Sequence, residues 1–499
     1  MINNASKLIN VGIIGGGLGG ISAAIYLKKA GFDVTIIEKN STLGGRANLI
    51  EKNGFRFDVG PSLLNYPWVF EDLFKAAGEN LKDHIDLIEV QSGVRFLWED
   101  KEEFHVSSDY ASLNKEISRL EKSENTGLNK FIKSNSSRYE IAFKKLLNSN
   151  LDNPLIWGKR LGLKEILSGS MTQSMYKDLS KHFNSKYIKE AFGSYAMYLG
   201  GSPFDIPAFF SILPYGEISY GLWMPKGGIY SLIEKLENIL VKNKIKIQKE
   251  KTVSEIVIVD KKVAGVITSQ GERINFDVLV SNVDLPTTDS VLIKPADQKK
   301  SIPSNLPMTP SVVTFYWGLR KITDLPHHTI FLPNDYKKSF KDLFENKKFP
   351  DGMPFYISSP CSTDPELAPN NMSTMFVLVP LPVTSKDGDV NDFAKDINYI
   401  KNKIFLRFNH HGIELKKEDI IYEKILSPND WKEMFGLYKT SAFGVSHNLF
   451  NIGPFRGKNK SKLYNGLYYT GASTNPGTGL PMVAISGKLT AERIIKDVL

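Results

Sequence analysis

The distribution of apolar residues at the start of the chain predicts a strand, a helix and a second strand. Short apolar runs at 11–14 and 34–37 have the length and the β-branched content of buried strands. Between them, residues 21–30 carry apolar side chains at helical spacing. Glycines separate the first run from the helix, so the pattern is that of two strands joined by a tight turn and a helix.

Two later regions carry the same kind of pattern. In the middle of the chain, an amphipathic helix over 228–241 precedes four predicted strands, over 244–248, 253–259, 262–268 and 276–281. Near the end, a strand over 466–470 leads through a glycine- and proline-rich loop into a helix over 482–498. Because strands with connecting helices assemble into one sheet, we predict an α/β fold. Its Rossmann-like domain is assembled from N-terminal, middle and C-terminal segments.

The regions between these segments are richer in aromatic residues, prolines and charged helices. They predict an inserted α+β substrate domain with a helical lid. The predicted division is 1–75, 226–298 and 441–499 for the Rossmann-like domain, and 76–225 and 299–440 for the substrate domain. With 499 residues the chain is long enough for two or three cores, and one core of that size is uncommon.

The first glycine turn has the chemistry of a dinucleotide-binding site. Gly15 permits the turn, Gly17 lets the backbone approach a pyrophosphate, and Gly20 lets the helix pack closely on the strand. The helix N-terminus directs free N–H groups at the phosphates. Glu38 follows the second strand, where its carboxylate is placed to accept a hydrogen bond from a ribose hydroxyl. Together these features predict an adenine dinucleotide.

A second glycine pair favours a flavin over a nicotinamide. Gly45 and Arg46 offer another close backbone approach and a fixed positive charge for the pyrophosphate. The terminal helix adds an N-terminus that fits beside the flavin's pyrimidine edge, with a plain C-terminal docking helix as the alternative. We therefore predict FAD, bound by Gly15, Gly17, Gly20, Glu38, Lys39, Gly45, Arg46, Gly60, Pro61, Val253, Gly471, Met482 and Val483.

Composition narrows the possible partners. The net charge is +9, but lysine is abundant throughout and no nucleic-acid motif stands out, so no nucleic-acid partner is expected. No apolar run reaches membrane-spanning length, and the first residues lack a signal peptide, which favours a cytoplasmic protein. The single cysteine, Cys361, excludes an internal disulfide framework. No metal is expected, since the pairs His327-His328 and His410-His411 are typical of surface or loop residues.

Two stretches of the middle region leave alternatives open. Residues 139–189 mix apolar side chains with many lysines, which suits either an anionic membrane surface or an ordinary helical face packed on its own domain. Residues 198–225 are aromatic, glycine-bearing and nearly uncharged. They suit either an apolar tunnel or plain buried core.

Several separated motifs give the chain a family resemblance. They are Gly15–Gly20, Leu43-Gly44-Gly45-Arg46, Gly54-Phe55 with Phe57-Asp58 and Gly60-Pro61, Trp223 with Gly227-Gly228, Ser441–Gly444, Pro454–Arg456 and Gly471–Pro481. On these residues the chain resembles the bacterial and archaeal carotenoid desaturase family, typified by phytoene desaturase. The N-terminal motifs alone would fit any flavoprotein resembling amine oxidases, whereas the C-terminal motifs are more specific.

The resemblance implies FAD-dependent removal of hydrogen pairs from a C30 or C40 isoprenoid, by a protein peripheral to the inner face of the membrane. It also implies a quinone or oxygen as electron acceptor. Asn475 stands where desaturases often carry histidine, which favours an alternative, a carotenoid oxygenase that oxidises terminal methyl groups. A further alternative from another class is an amine or protoporphyrinogen oxidase. Catalytic residues stay unknown, with Asp205 and Glu217 as candidate proton acceptors.

Overall fold

The computed structural model describes residues 8–121, 126–294, 306–383 and 397–499. Three separated segments of the chain build a five-stranded, fully parallel sheet. Across the sheet the strands lie in the order Leu467–Tyr469, Val278–Ser281, Asn10–Ile14, Asp33–Ile37 and Lys246–Gln248. The predicted Rossmann-like sheet is thus present, and its edges come from the late and middle segments.

Two helices from opposite ends of the chain pack together beside this sheet. Leu18–Lys29 follows the first strand, and Leu480–Val498 ends the chain. Small residues bring their backbones close, because a Cβ on Gly487 would lie 2.4 Å from the carbonyl oxygen of Gly19. The Ser22 hydroxyl donates to the Ala484 carbonyl at 2.7 Å. The C-terminal helix is therefore an integral part of the N-terminal βαβ unit.

A second sheet in the structure has seven strands. Its strands are ordered Ile420–Leu426, Ser311–Leu319, Ser373–Leu381, Phe355–Ser358, His328–Leu332, Val94–Trp98 and Glu103–Val106. All neighbours pair antiparallel except Val94–Trp98 with His328–Leu332, which pair parallel. This pairing joins two regions more than two hundred residues apart, so no local pattern in the sequence could announce it.

Smaller sheets and helices complete the fold. The remaining strands are Leu49–Lys52, Phe55–Asp58, Leu87–Glu89, Trp223–Pro225, Val253–Val259, Lys262–Thr268 and Arg273–Asn275. The remaining helices are Pro67–Ala76, Tyr110–Glu121, Thr126–Ile141, Pro154–Leu161, Leu163–Ser168, Met175–Leu179, Lys186–Ser194, Ile212–Tyr220, Ile229–Lys242, Leu285–Thr287, Tyr336–Lys341, Ile397–His410 and Pro428–Phe435. Within the described ranges, none of the helices has the length and apolarity to cross a bilayer.

The predicted elements of the Rossmann-like domain are present, with small shifts at their ends. The first helix begins at Leu18, earlier than predicted, because Gly19 and Gly20 belong to its first turn. The terminal helix likewise begins at Leu480. The predicted boundary between 298 and 299 falls in the interval 295–305, outside the described residues.

The prediction for His327 and His328 is wrong. Both side chains are fully buried, at the start of the strand His328–Leu332. The His328 Nδ1 atom lies 2.7 Å from the Tyr356 hydroxyl, and that hydroxyl lies 2.6 Å from the Ser62 hydroxyl. Burial lowers the pKa of His327 to about 3 and that of His328 well below its usual value, so both rings are neutral.

Candidate functional site

One large cavity, of about 650 Å³, lies where the carboxyl ends of the parallel strands face the seven-stranded sheet. Crevices at this edge of open α/β sheets are the usual ligand sites of such folds. On one side the cavity is lined by the glycine turn that follows the strand Asn10–Ile14. On the other side it is lined by Tyr356, Phe376 and Leu378 of the seven-stranded sheet.

The two predicted glycine turns meet in this cavity. The Gly44 N–H donates to the Gly16 carbonyl at 2.8 Å, and a Cβ on Gly45 would lie 3.2 Å from the Gly17 Cα. Gly15 and Gly45 have positive φ values of 92° and 60°, which side-chain-bearing residues rarely adopt. The result is a cradle of bare backbone at the N-terminus of the helix Leu18–Lys29. The lack of side chains and the position at a helix N-terminus fit a pyrophosphate.

Gly20 has a different position from the other predicted residues. It alone among them does not line the cavity. A Cβ at this position would lie 2.4 Å from the Gly15 carbonyl oxygen and 3.2 Å from a methyl group of Ile13. Gly20 therefore allows the helix to lie against the strand and the turn, which is the packing role that the fingerprint predicts.

Glu38 is buried at the cavity wall with its carboxylate already bonded to backbone. One carboxylate oxygen accepts from the Gly16 N–H at 2.7 Å, and the other accepts from the Asn40 N–H at 2.9 Å. These bonds fix the carboxylate beside the glycine turn. Since each carboxylate oxygen has more than one lone pair, a ribose hydroxyl can be accommodated in addition.

Arg46 and Lys39 line the cavity but are tied to protein groups. The Arg46 guanidinium donates to the Ala442 carbonyl at 2.7 Å and lies 3.7 Å from the Asp284 carboxylate. The Lys39 ammonium donates to the Glu433 carbonyl. Burial lowers the pKa of Lys39, while the nearby acidic groups oppose that shift. Both cations are thus held in place before any ligand binds.

The remaining predicted residues line the same cavity. They are Gly60, Pro61, Val253, Gly471, Met482 and Val483. Met482 and Val483 belong to the first turn of the helix Leu480–Val498, whose N-terminus therefore faces the cavity. Their role in binding FAD stays a prediction, and the bare glycine cradle, the acid and the helix N-terminus all suit that cofactor.

Sequence reasoning missed three polar residues that line this part of the cavity. Asn282 follows the strand Val278–Ser281 and donates to the Gly15 carbonyl at 3.3 Å. Asp284 accepts from the Ser473 hydroxyl at 3.0 Å, so an acid does lie next to the Gly471 loop, although it comes from another segment. His447 accepts from the Thr478 N–H at Nε2, so its Nδ1 carries the proton and donates to the Leu199 carbonyl at 3.1 Å.

Asn282 and Asp284 could have been found from the sequence, because both come shortly after a predicted strand. Polar side chains at the carboxyl ends of parallel strands lie at the edge of the sheet where ligands bind. His447 had no such signal, because it lies in an irregular segment. Burial lowers its pKa well below the usual value, and Arg456 adds to that effect, so the ring is neutral.

The rest of the cavity is lined mostly by apolar side chains, with a few neutral polar ones such as Asn65, Ser149 and Ser194. Its lining here includes Tyr66, Ala142, Phe143, Leu146, Leu147, Leu151, Trp157, Met171, Met197, Tyr198, Leu199, Phe209, Phe210, Ile212 and Leu213. Many of these side chains come from the 198–225 stretch, for which tunnel and core were the alternatives. The stretch contributes to both the core and the cavity wall. Ile206 and Leu222 are buried in the core, while Leu199 and Phe210 line the cavity.

The two candidate proton acceptors have different surroundings. Asp205 is exposed and does not line the cavity, so the candidate role assigned to it is not supported. Glu217 is only 2% exposed and sits in the helix Ile212–Tyr220, of which Ile212 and Leu213 line the cavity.

Several apolar side chains of the 139–189 stretch are exposed to solvent. For this stretch, packing on its own domain was one of the two predicted alternatives. Leu155, Leu163 and Leu167 are 84%, 72% and 75% exposed, and Ile156 and Ile166 are each 50% exposed. We call these five side chains, on Pro154–Leu161 and Leu163–Ser168, the exposed leucine patch. Trp157, on the first of these helices, lines the cavity. The patch therefore adjoins the apolar end of the cavity.

Comparison with known proteins identifies the class. The family model described as flavin containing amine oxidoreductase matches residues 18–495, so the chain belongs to that family. A zeta-carotene-forming phytoene desaturase of Myxococcus xanthus is 32% identical over 97% of this chain and 93% of its own length. A 4,4'-diapolycopene oxygenase of Methylomonas sp is 30% identical over 99% of both chains. The predicted resemblance to carotenoid desaturases is thereby confirmed.

The fold comparison agrees. A solved structure of putrescine oxidase bound to putrescine superposes with a TM-score of 0.64 at 13% identity, covering 98% of this chain and 99% of the oxidase. At that identity the likeness shows the fold alone. It confirms the predicted α/β fold, and membership in a flavin-containing family confirms the prediction of an FAD-dependent oxidoreductase.

Proposed function

We propose that this protein is an FAD-dependent carotenoid desaturase that removes hydrogen pairs from a C30 or C40 polyene. The observation that carries the proposal is the cavity itself, whose wall includes both the glycine cradle and a large set of apolar side chains, which we call the apolar chamber and which includes Trp157. Its charged lining residues, within the described chain, are Glu38, Lys39, Arg46, Lys251 and Asp284. The chamber itself is lined by apolar and neutral side chains, which suits a hydrocarbon substrate.

The residues of this chain would perform three tasks. The glycine turns and Glu38 hold the dinucleotide, and when bound, FAD accepts the hydride equivalent that the substrate loses. The aromatic and aliphatic lining orients the polyene, since a hydrocarbon offers no hydrogen bonds by which to be positioned. The same lining excludes water from the reacting carbons, which protects a cationic intermediate from capture.

Expression in cells that accumulate phytoene tests the proposal. We expect carotenoids with a longer chromophore, each desaturation removing two hydrogens from the product mass. The control is the same strain expressing Gly17→Val, which lacks the bare-backbone cradle. Unchanged phytoene in the strain with the wild-type protein would refute desaturase activity on that substrate.

A second candidate, the oxidation of terminal methyl groups, is favoured by Asn475. This residue lines the cavity at the loop before the C-terminal helix, where an amide replaces the histidine common in desaturases. An amide cannot accept a proton near neutral pH. Supplying an already coloured carotene such as lycopene separates the two reactions, because an oxygenase adds the mass of oxygen and a desaturase does not.

We further propose that the exposed leucine patch docks on the cytoplasmic face of an anionic membrane. Lys159, Arg160 and Lys164 are exposed on the same two helices, so apolar and basic side chains occur together. That combination fits a bilayer interface with anionic headgroups. Docking there would bring the membrane-dissolved polyene to the apolar end of the cavity. A membrane quinone or oxygen would then take the electrons from the reduced cofactor.

A further inference from the structure

Glu217 is a buried carboxyl that the binding of FAD and polyene leaves unused. It lies in the helix Ile212–Tyr220, one helical turn after Leu213, a residue that lines the cavity. Positions four apart share a helix face, so the Glu217 side chain leaves the helix on the cavity side. Glu217 is only 2% exposed, and burying a carboxyl group against apolar side chains costs folding free energy. Its presence there therefore points to a function.

Several buried oxygen atoms around Glu217 have no hydrogen-bond partner in the described structure. Neither Glu217 carboxylate oxygen has a hydrogen-bond partner in the described structure, and the hydroxyls of Tyr66, Tyr195 and Tyr198 have none either. Tyr66 and Tyr198 line the cavity, and both interact electrostatically with the Glu217 carboxyl. A Cβ on Gly216 would lie 2.4 Å from the Tyr66 hydroxyl, which places that hydroxyl against the helix beside Glu217.

Among the described residues, the groups that interact electrostatically with Glu217 are four tyrosines and include no cation. They are Tyr66, Tyr195, Tyr198 and Tyr356. Burial raises the pKa of Glu217 to about 8, and the Tyr195 hydroxyl opposes the shift without reaching hydrogen-bond geometry. Tyr356 is itself hydrogen-bonded to the neutral His328. The carboxyl therefore exchanges a proton close to physiological pH.

We propose that Glu217 takes up the proton that the polyene releases, through the hydroxyls of the cavity-lining residues Tyr66 and Tyr198. The inference rests on the proposed desaturase function. Once a hydride has left one carbon for the flavin, the adjacent carbon loses a proton and its C–H electron pair forms the new C=C bond. A hydroxyl of Tyr66 or Tyr198, once it turns to donate to the carboxylate, accepts that proton while giving its own to Glu217, which becomes a neutral acid.

Other ionisable residues at the cavity are less suited to this task. Asp284 already accepts a hydrogen bond from Ser473 and lies 3.7 Å from the Arg46 guanidinium, so its carboxylate is engaged by protein groups. Both ring nitrogens of His447 are hydrogen-bonded, one as donor and one as acceptor. Glu217 combines burial beside the apolar chamber with unused lone pairs.

Single-turnover reduction of the bound flavin by phytoene in anaerobic liposomes tests the proposal. The wild-type rate should rise with pH and level off above about pH 8, because only the ionised carboxylate accepts a proton. Glu217→Gln should reduce flavin at least tenfold more slowly and without that pH dependence. Glu217→Asp should restore the dependence at a lower rate. Asp205→Asn, at an exposed carboxyl nearby in sequence, should behave as wild type.

Two readouts on the flavin-loaded protein are independent of turnover. Infrared difference spectra should show a neutral carboxylic acid that ionises near pH 8 in the wild type and is missing from Glu217→Gln. The folded protein keeps this proton up to about pH 8, whereas the unfolded chain releases it near the ordinary value of 4.5. The wild type should therefore lose melting temperature relative to Glu217→Gln as the pH rises between those values.

Each failure has a distinct signature. If wild-type protein reduces no flavin with phytoene, the proposed function fails for that substrate. If the wild type is active and Glu217→Gln keeps its rate and pH profile, Glu217 is not the proton acceptor. Absence of the infrared signal from the wild type would overturn the proposal whatever the substrate.

Discussion

Gly17 is one of the residues at which the two glycine turns meet. It is bridged to Gly44, and a Cβ on Gly45 would lie 3.2 Å from its Cα. On its other side, a Cβ on Gly17 would lie 2.7 Å from the Asn282 amide nitrogen. A pyrophosphate bound in the cradle, as predicted, would lie against this bare backbone, and any side chain at Gly17 would compete with it for space.

We therefore expect Gly17→Val to abolish FAD binding. Its two methyl groups would occupy the cradle, whereas Gly17→Ala needs only the Asn282 side chain to shift and should weaken binding less. The flavin absorbance of the purified protein measures the outcome. Gly158→Val is a matched control, since nothing lies within 4 Å of a Cβ there. A full flavin spectrum in Gly17→Val would contradict the assignment of the cradle.

Residues differ in how far their roles could be read from the sequence. The positions of Gly15, Gly17 and Glu38 follow from a local pattern, because strand, turn and helix fix them relative to one another. The surroundings of Glu217 depend on tyrosines from distant segments, among them Tyr66 and Tyr356. Such a neighbourhood is created by tertiary packing, so the sequence suggested the residue without showing its burial or its free lone pairs.

At the scale of elements, strand pairings between neighbouring segments could be predicted from the sequence, whereas pairings between distant segments could not. The strands Asn10–Ile14 and Asp33–Ile37 were predicted because a helix between them makes the pairing local. The pairing of Val94–Trp98 with His328–Leu332 spans nearly half of the chain and was not foreseen. The burial of His328 follows from that strand, which explains why a pair of histidines looked like surface residues in the sequence.

A testable prediction at this scale concerns membrane binding by the helices Pro154–Leu161 and Leu163–Ser168, which carry the exposed leucine patch. Replacing both Leu155 and Leu167 by glutamate should reduce binding to anionic vesicles by more than tenfold. Burying one leucine side chain contributes about 1.5–3 kcal/mol, and each 1.4 kcal/mol is about tenfold in affinity. Added negative charge lowers the binding further. Co-sedimentation with vesicles of phosphatidylglycerol measures the loss.

The control for this experiment is Leu406→Glu. Leu406 is also exposed, at 64%, but it lies on the helix Ile397–His410 away from the patch in sequence. Its substitution should leave vesicle binding unchanged. Equal binding by the double variant and the wild type would show that the exposed leucine patch does not dock on the membrane.

At the scale of the whole molecule, the cavity gathers residues from nearly every part of the chain. Gly17, Lys251, Asn282 and Gly471 come from segments far apart in sequence, and Phe376 belongs to the second sheet. A ligand that fills the cofactor half of the cavity therefore contacts residues that the folded state alone brings together. Binding of that kind stabilises the folded state and has no counterpart in the unfolded chain.

FAD should accordingly raise the thermal stability of the entire protein. At a concentration a hundredfold above its Kd, the expected gain in the free energy of unfolding is about 2.7 kcal/mol. Melting curves of apoprotein with increasing FAD, followed by circular dichroism, measure the rise. Both the N-terminal and the C-terminal segments should unfold in the same stabilised transition, because the helices Leu18–Lys29 and Leu480–Val498 pack directly on each other. Gly17→Val should show no rise, and a wild-type melting temperature independent of FAD would contradict a cofactor site built from the whole chain.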